Sequence, residues 1–171
     1  MKISEEVKQE LESIYQRFFH DEKVQRMKVI AMHRGCNCFI HSFRVARRAI
    51  KNALRHKSVN LKNILIASIL HDYYLYDWRV DRARKKHHTA NHPKIAIENA
   101  SKDFEIGEEV KAIIDSHMWP MNFKIFPKTK EARITGMADT MVATREVLTS
   151  IAHKKKRLDN YYKEIEFLFD K

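Results

Sequence analysis

An all-α fold is predicted by three features of this sequence. The chain has 171 residues but only three glycines and three prolines, and many short strands joined by tight turns would need more of both. Apolar residues recur every three or four positions along most of its length, which is the spacing of an amphipathic helix. Hydrophobic residues make up 44% and charged residues 32% of the chain, an ordinary globular composition, and no repeat or flexible linker divides it. We therefore expect one helical domain.

Two helices are expected in the N-terminal segment. Residues 4 to 19 carry an apolar stripe, and glutamates stand in the first turn, where the helix dipole favours acids. Residues 22 to 33 continue the helical spacing until residues 35 to 37 break it. The apolar positions of these two helices are Val7, Leu11, Ile14 and Phe18, then Val24, Met27, Ile30 and Ala31.

A basic amphipathic helix and a buried helix are expected next. Residues 39 to 57 place apolar side chains on one face and arginines and lysines on the other, and Asn37 is suited to cap this helix. Asn60 is suited to cap a helix from residue 61 to about residue 73. That helix is apolar nearly all round, as a central buried helix is.

A long loop and a further helix are expected after the buried helix. Residues 75 to 91 are polar, basic and aromatic, and loops of that length are often functional. His92 and Pro93 are expected to open the helix that follows, since proline suits a first helical position. Gly107 separates it from another helix that ends near His117.

The C-terminal part of the chain is expected to contain a second loop and then helix. Residues 118 to 128 form the loop, which two prolines punctuate. From Thr129 on the pattern is helical, with a break near His153, where the segment HKKKR interrupts the apolar spacing.

Charge and hydropathy limit the class of protein. The formal net charge of +11 favours anionic partners such as nucleotides, nucleic acid or acidic lipid. No apolar run approaches the roughly 20 residues that a membrane span needs, and the charged N-terminus lacks the apolar core of a signal peptide. We therefore expect a cytoplasmic protein with no membrane contact. Cys36 and Cys38 have a poor spacing for a disulfide and are expected to be reduced thiols in a turn.

Histidines and aspartates stand at the ends of the predicted helices. The apolar run from residue 64 to residue 70 ends abruptly in His71 and Asp72. Asp139 lies in the apolar sequence MADTMVA, where an aspartate is costly unless it is paired or bound to a cation. Imidazoles and carboxylates together suit a first-row divalent metal ion.

Each of these residues alone also has a structural explanation. His117 could interact with a helix dipole, His92 could be a turn residue, and Asp139 could be a cap or an ion-pair partner. The remaining histidines stand mostly in basic segments and are given no role: His20, His33, His56, His87 and His153.

The order of the histidines and aspartates resembles the HD superfamily of metal-dependent phosphohydrolases. That family has a histidine near a helix start, an apolar helix ending in His-Asp, and a distal aspartate. The segments HSFRVA and SILHD are similar to it in spacing and flanking residues, and the matching residues are His41, His71, Asp72 and Asp139. His92 in NHPKIAIENA and His117 in IIDSHMWP are similar to the further ligands of the branches that hold two metals. The chain also resembles small bacterial HD proteins and the small HD enzymes that cleave dinucleoside polyphosphates.

This resemblance implies a fold and a division of the chain. The fold would be a single HD-domain bundle of about six to eight helices. Residues 1–35 would form an N-terminal helical cap, residues 36–148 the metal-binding core and residues 149–171 a C-terminal helix.

The resemblance also implies a dinuclear centre and a reaction. Asp72 would be the catalytic residue and would bridge two divalent ions. The other ligands would be His41, His71 and Asp139 for the first ion, and His92 and His117 for the second. A metal-activated water would then hydrolyse a nucleotide or another small phosphoester.

Arginines near these residues are expected to bind the substrate phosphate. Arg44 and Arg48 stand three and seven residues after His41 and share its helix face, and Arg145 stands six residues after Asp139. Arg44 is expected to be the main contact, although a solvated basic face also explains these charges. The alternatives lie in the long loop: Arg79, Arg82, Lys85 and Lys86.

The sequence departs from the family immediately after His-Asp. Many HD proteins continue with Ile-Gly-Lys, whereas this chain has Tyr73, Tyr74 and Leu75, so another cation must replace the lysine or the substrate differs. Asp77 and His88 are candidates to orient ligand histidines. The aromatic residues of both loops either stack on a base or belong to the core: Tyr73, Tyr74, Tyr76, Trp78 and Trp119.

Several alternatives stay open at this point. The substrate could be a monoester, a cyclic dinucleotide, a dinucleoside polyphosphate or a nucleoside triphosphate, and the metal Mn, Fe, Mg or Zn. One or two ions would bind, depending on His92 and His117, and the oligomeric state is not readable. A basic nucleic-acid-binding module explains the charge but gives the histidines no role. A non-catalytic regulatory HD protein is the other alternative, and the complete ligand set argues against it.

Overall fold

Helices make up the regular structure of this computed structural model, which describes residues 3–32, 36–80, 85–152 and 158–169. Eight α-helices are found in these residues: α1 (Glu5–His20), α2 (Glu22–Gln25), α3 (Cys38–Ala53), α4 (Leu61–Leu70), α5 (His88–Asp103), α6 (Glu108–Ser116), α7 (Lys130–Ala152) and α8 (Leu158–Glu164). A 3-10 helix spans Arg26–Val29. The described ranges contain no strand, only one isolated bridge between Ala31 and Asn37. The predicted all-α fold is confirmed.

The N-terminal segment differs from its prediction in its second helix. The predicted helix over residues 22 to 33 is a four-residue α2 followed by the 3-10 helix, and Ile30 is extended. Val24, Met27 and Ile30 are nevertheless all buried. The apolar spacing of three therefore suited both kinds of helix and could not distinguish them.

The centre of the fold is the pair formed by α3 and α4. Asn37 and Asn60 cap them as predicted, because their side-chain oxygens accept from Ile40 N at 2.9 Å and from Asn63 N at 3.1 Å. Helix α3 also packs along α7, and α4 packs against α6 and α7. Helix α4 stops at Leu70, so residues 71 to 74 form a turn at its end.

Helix α5 begins earlier than the sequence predicted. It starts at His88, so Pro93 lies inside the helix and the predicted loop over residues 75 to 91 is shorter. The rule that places proline at the first helical position is a preference, and a proline in the second turn removes only one N–H donor.

The C-terminal segment packs back onto α1. The hydroxyl of Tyr15 donates to the carbonyl of Ile165 at 2.6 Å, and both side chains are buried. Tyr15 also meets Phe43 of α3 edge to face at 5.0 Å. The predicted helix break near His153 and its HKKKR segment lie outside the described residues, between α7 and α8. His33, Gly35 and Arg82 also lie outside them.

Among the helices that the structure describes, none combines the length and the apolar character that crossing a membrane would require.

Candidate metal centre

Six side chains from five helices meet in the middle of the bundle. His41 lies in the first turn of α3, His71 and Asp72 directly follow α4, and Asp139 lies in α7. His92 lies in α5, and His117 directly follows α6. These are the six ligands that the sequence predicted, and the structure brings all six together. Three overlapping groups of them place their ligand atoms within 4.8 Å of one another.

Asp72 lies between two halves of this cluster. Its Oδ2 is 3.3 Å from His71 Nε2 and 3.9 Å from His41 Nε2. Its Oδ1 is 3.2 Å from His92 Nε2 and 3.8 Å from His117 Nε2. One carboxylate therefore faces two histidines with each oxygen.

Asp139 completes one half of the cluster. Its Oδ1 is 3.0 Å from His41 Nε2 and 3.7 Å from His71 Nε2. The side chain of Asp139 is 13% exposed, whereas that of Asp72 is 7% exposed and those of His41 and His71 are at most 1% exposed. The cluster therefore opens to solvent on the Asp139 side.

The backbone fixes the tautomer of three of the histidines. Nδ1 of His71 lies 2.8 Å from the carbonyl of Ser68, and Nδ1 of His117 lies 2.7 Å from that of Ile114. Nδ1 of His92 likewise lies 3.0 Å from the carbonyl of His88. A carbonyl oxygen only accepts, so each Nδ1 must carry the proton and donate it. When the ring is neutral, Nε2 then presents a lone pair to the cluster.

The two histidines of the second half present a conflict that a cation would relieve. His92 Nε2 lies 3.0 Å from His117 Nε2, and both rings donate through Nδ1. When both rings are neutral, two lone pairs face each other and repel, and either a proton on His92 or a bound cation removes that repulsion. Burial, with the charges of His71 and His92, lowers the pKa of His117 to about 3, so its ring is neutral.

The separations between ligand atoms fit a bound divalent ion. Ligand bonds of about 2.1 Å place neighbouring ligand atoms about 3.0–3.4 Å apart in octahedral or tetrahedral geometry. The closest contacts of the cluster lie in that range, from 3.0 Å for His41–Asp139 to 3.3 Å for His71–Asp72. In addition, buried His71 Nε2 has no hydrogen-bond partner among the described residues. The six residues therefore fit the metal centre that they were predicted to form.

In the cluster, histidines and carboxylates shift each other's pKa values towards their charged forms. Burial alone would lower the pKa of His41, but hydrogen bonds to Asp139 and Glu146 raise it to about 10. Burial alone would raise the pKa of Asp72, but His71 and then His92 hold it well below its usual range. Buried carboxylates are stable only when cations neutralise them. A divalent ion bound here would therefore lie among buried carboxylates and imidazoles.

Glu146 is a buried residue of the site that the sequence analysis missed. It lies in α7, and its Oε2 accepts from His41 Nδ1 at 2.9 Å. Glu146 stands seven residues after Asp139, which is two helical turns, so both carboxylates are on the same face of α7. The spacing of seven residues was the one sequence feature that could have indicated Glu146. A residue that contacts a ligand histidine on the nitrogen facing away from the cluster has no sequence motif of its own.

The turn that carries His71 and Asp72 is held by α5. The side-chain amide of Asn99 donates to the carbonyls of Tyr73 and Tyr74, each at 3.1 Å. The Tyr73 hydroxyl donates to Asp103 Oδ2 at 2.8 Å. Tyr73 and Tyr74 are therefore buried parts of the core and are not available to stack on a base.

The predicted arginines have different surroundings. Arg44 pairs with Glu146 at 3.0 Å and with Glu164 at 2.8 Å. Arg48 places its Nη2 3.5 Å from Met141 Sδ, and its buried Nε has no hydrogen-bond partner in the described part of the chain. Arg145 is exposed on α7 beside Thr144. Arg44 is thus engaged with carboxylates, whereas Arg48 has no carboxylate partner among the residues that the structure describes.

The two residues proposed to orient ligand histidines also differ. His88 stacks on His92 with ring centres 4.7 Å apart, and its Nδ1 lies 2.9 Å from the Tyr76 hydroxyl. Asp77 instead accepts from the backbone N–H of Arg79 at 2.9 Å and contacts no ligand histidine among the described residues.

Cys36 and Cys38 are free thiols, as predicted, although Cys38 opens α3 and is not in a turn.

Gly136 is expected to be intolerant of a side chain, because α7 approaches His117 closely there. A Cβ on Gly136 would lie 3.0 Å from the carbonyl oxygen of His117 and 3.6 Å from its Cα. We expect Gly136→Ala to lower the free energy of unfolding in urea by about 1–3 kcal/mol, because the backbone must shift. The matched control is Gly107→Ala, where a Cβ would meet only the Glu109 side chain. Equal stability of the Gly136→Ala variant and the native chain would contradict this packing.

Comparison with known proteins agrees with the geometry. A family model described as HD domain matches residues 38–144, which is more than half of the 171-residue chain. The matched segment begins at the first residue of α3 and contains all six clustered side chains, while Glu146 lies just beyond it. No curated protein and no solved structure matches the chain.

Proposed function

The chain belongs to the HD-domain family, and from that premise we propose that it is a metal-dependent phosphohydrolase acting on a nucleotide or another small phosphoester. The observation that carries the proposal is the position of Asp72, whose two oxygens each face two histidine Nε2 atoms. A nucleic-acid-binding module, the alternative that explains the basic charge, would give that buried arrangement no role.

The proposal assigns the six clustered residues to two ions. His41, His71 and Asp139 would hold the first, His92 and His117 the second, and Asp72 would contact both. Divalent ions bound there would lower the pKa of a water molecule and polarise a phosphate oxygen.

The protein's own residues would supply positioning and charge. Backbone carbonyls hold three imidazoles in the tautomer that a ligand needs. Burial keeps bulk water away from Asp72 and the histidines, which strengthens every electrostatic interaction in the centre. Asp139 is the most exposed of the six, so the substrate would approach from its side.

Arg48 is the residue that we propose as the phosphate contact. It lies on the same face of α3 as His41, two turns later, and its side chain reaches Met141, which is two residues after Asp139. Its guanidinium forms no ion pair with a carboxylate among the described residues. Arg44, the contact preferred from the sequence, is held by two carboxylates and is less available, although its assignment remains a prediction. Arg145 also remains a predicted contact.

Replacing Arg48 should therefore impair substrate use without removing metal. A charge-assisted hydrogen bond to phosphate is worth about 1.5–3 kcal/mol, so Arg48→Ala should lower kcat/KM by about 10–100-fold. Arg48→Lys should restore part of the loss. The metal content, measured by elemental analysis, should equal that of the native chain. An unchanged kcat/KM would remove Arg48 from the substrate site.

The experiment that tests the function is a substrate screen with metal-loaded protein. Purified chain would be incubated with Mn or Zn and with monoesters, cyclic dinucleotides, dinucleoside polyphosphates and nucleoside triphosphates, and the products would be separated by chromatography. Metal-dependent cleavage of one class supports the proposal. Bound metal without any turnover would favour the non-catalytic regulatory alternative.

A further inference from the structure

The two halves of the cluster differ in the groups that hold their histidines. The His41 position consists of His41, His71 and Asp139 together with Asp72, and the His92 position consists of His92 and His117 together with Asp72. We propose that Glu146 is a positioning residue for His41 and makes these two positions unequal, so that the His41 position binds its ion more tightly. The inference rests on the metal centre of the proposed function and goes further, because it ranks the two positions and identifies the residue responsible.

Glu146 is placed to act directly on His41. It is 6% exposed, and its Oε2 lies 2.9 Å from His41 Nδ1 while its Oε1 lies 3.0 Å from Arg44 Nη1. A carboxylate that accepts from Nδ1–H fixes the ring so that Nε2 faces Asp139 at 3.0 Å. It also makes Nε2 a stronger donor to a metal than a neutral partner would.

In the described part of the chain, the other three histidines meet a backbone carbonyl at Nδ1 and not a carboxylate. His71, His92 and His117 each donate through Nδ1 to a backbone carbonyl, at 2.8, 3.0 and 2.7 Å. A carbonyl orients the ring but contributes only a dipole, whereas Glu146 contributes a full charge. Among the described residues, the His41 position contains two aspartates, Asp139 and the shared Asp72, whereas the His92 position contains only Asp72. The carboxylate on Nδ1 and the additional aspartate both favour tighter binding of an ion at the His41 position.

Arg44 explains how a third carboxylate is tolerated so close to the centre. Its guanidinium joins Glu146 to Glu164 and lies over the ring of Tyr161, 4.3 Å from the ring centre. A buried carboxylate needs such a cation, since an unpaired charge is costly. Arg44 therefore keeps Glu146 ionised and fixed, which is a different role from contact with a substrate.

Metal affinities of the Glu146→Gln variant test this inference. Glutamine has nearly the same shape and can still accept from His41 through its amide oxygen. It removes the charge, and its NH₂ group then faces Arg44 and cannot accept the hydrogen bond from that guanidinium. Metal-free protein would be titrated with Zn in competition with a coloured chelator to obtain two Kd values. We expect the tighter Kd of Glu146→Gln to be weaker by about 10–100-fold and the weaker Kd to change by less than about threefold. The same shift should appear in a His92→Ala background, where only the tighter position remains.

Glu164→Gln is the matched control, because Glu164 also pairs with Arg44, but its side chain is 44% exposed, whereas that of Glu146 is 5% exposed. Both of its Kd values should stay within about twofold of the native ones. Equal weakening in Glu164→Gln, or no weakening of the tighter Kd in Glu146→Gln, would overturn the inference. Should Glu146→Gln not fold by circular dichroism, Arg44→Gln replaces it, and its tighter Kd should weaken by at least about threefold. An unchanged value there would equally overturn the inference.

Failure of this inference can be distinguished from failure of the proposed function, because affinity is measured without turnover. A shifted tighter Kd in a chain that cleaves no phosphoester would support the role of Glu146 and contradict the hydrolase. If the chain cleaves a phosphoester but its Kd values do not change in Glu146→Gln, the hydrolase would be supported and the role of Glu146 contradicted.

Discussion

Asp72→Asn is expected to reduce phosphoester hydrolysis by at least about 10³-fold, which corresponds to about 4 kcal/mol of lost transition-state stabilisation. Both oxygens of Asp72 face histidines, Oδ1 at 3.2 Å from His92 and Oδ2 at 3.3 Å from His71. Asparagine keeps the shape but loses the charge, and its NH₂ group cannot be a metal ligand. One half of the cluster would therefore lose its shared ligand. The measurement is the initial rate at saturating metal and substrate.

Asp77→Asn is the control for this prediction. Asp77 is five residues away in sequence and accepts only from the backbone N–H of Arg79 among the described residues, a bond that asparagine can also accept. Its rate should stay within about twofold of the native rate. A native rate in Asp72→Asn would show that the reaction does not pass through this cluster.

Metal binding is expected to raise the melting temperature by about 8–16 °C. A ligand at about 1,000 times its Kd stabilises the folded state by about 4 kcal/mol, and each kcal/mol shifts the Tm of a chain of this size by about 2–4 °C. The reason lies in the cluster, because the folded chain brings carboxylates and imidazole nitrogens together as ligands, and the unfolded chain does not. Differential scanning fluorimetry of chelator-treated protein, with and without added Zn or Mn, provides the measurement.

The Asp72→Asn variant separates specific from general stabilisation by metal. This variant lacks the shared carboxylate, so added metal should raise its melting temperature by less than half as much as it raises that of the native chain. Equal shifts in the two proteins would mean that the ions bind elsewhere, for example at exposed carboxylates. No shift in the native chain would argue that the cluster is a hydrogen-bonded network without a metal.

Some parts of the fold and site could be predicted because they follow from local rules. Asn37 and Asn60 begin helices because their side chains cap them, and an apolar helix that ends in His71 and Asp72 has few explanations other than a site. The resemblance to a known family then supplied His92 and His117, whose individual environments are otherwise unremarkable in sequence.

Other parts depended on contacts between distant segments. Helical periodicity placed Arg44 and Arg48 on one face but could not show that Glu146 and Glu164 hold Arg44, since those residues lie more than 100 positions away. Glu146 was missed for the same reason. The start of α5 was misplaced because a proline preference was applied without the packing of His88 on His92 and Trp78.

The metal content of the purified protein tests the proposed centre most directly. The protein would be purified without added metal, and bound ions per chain would be counted by elemental analysis beside an Asp72→Ala variant. We predict about two transition-metal ions per native chain and a clear loss in the variant. No bound ion in the native chain, even after Mn or Fe is supplied, would contradict the metal centre and with it the proposed hydrolase.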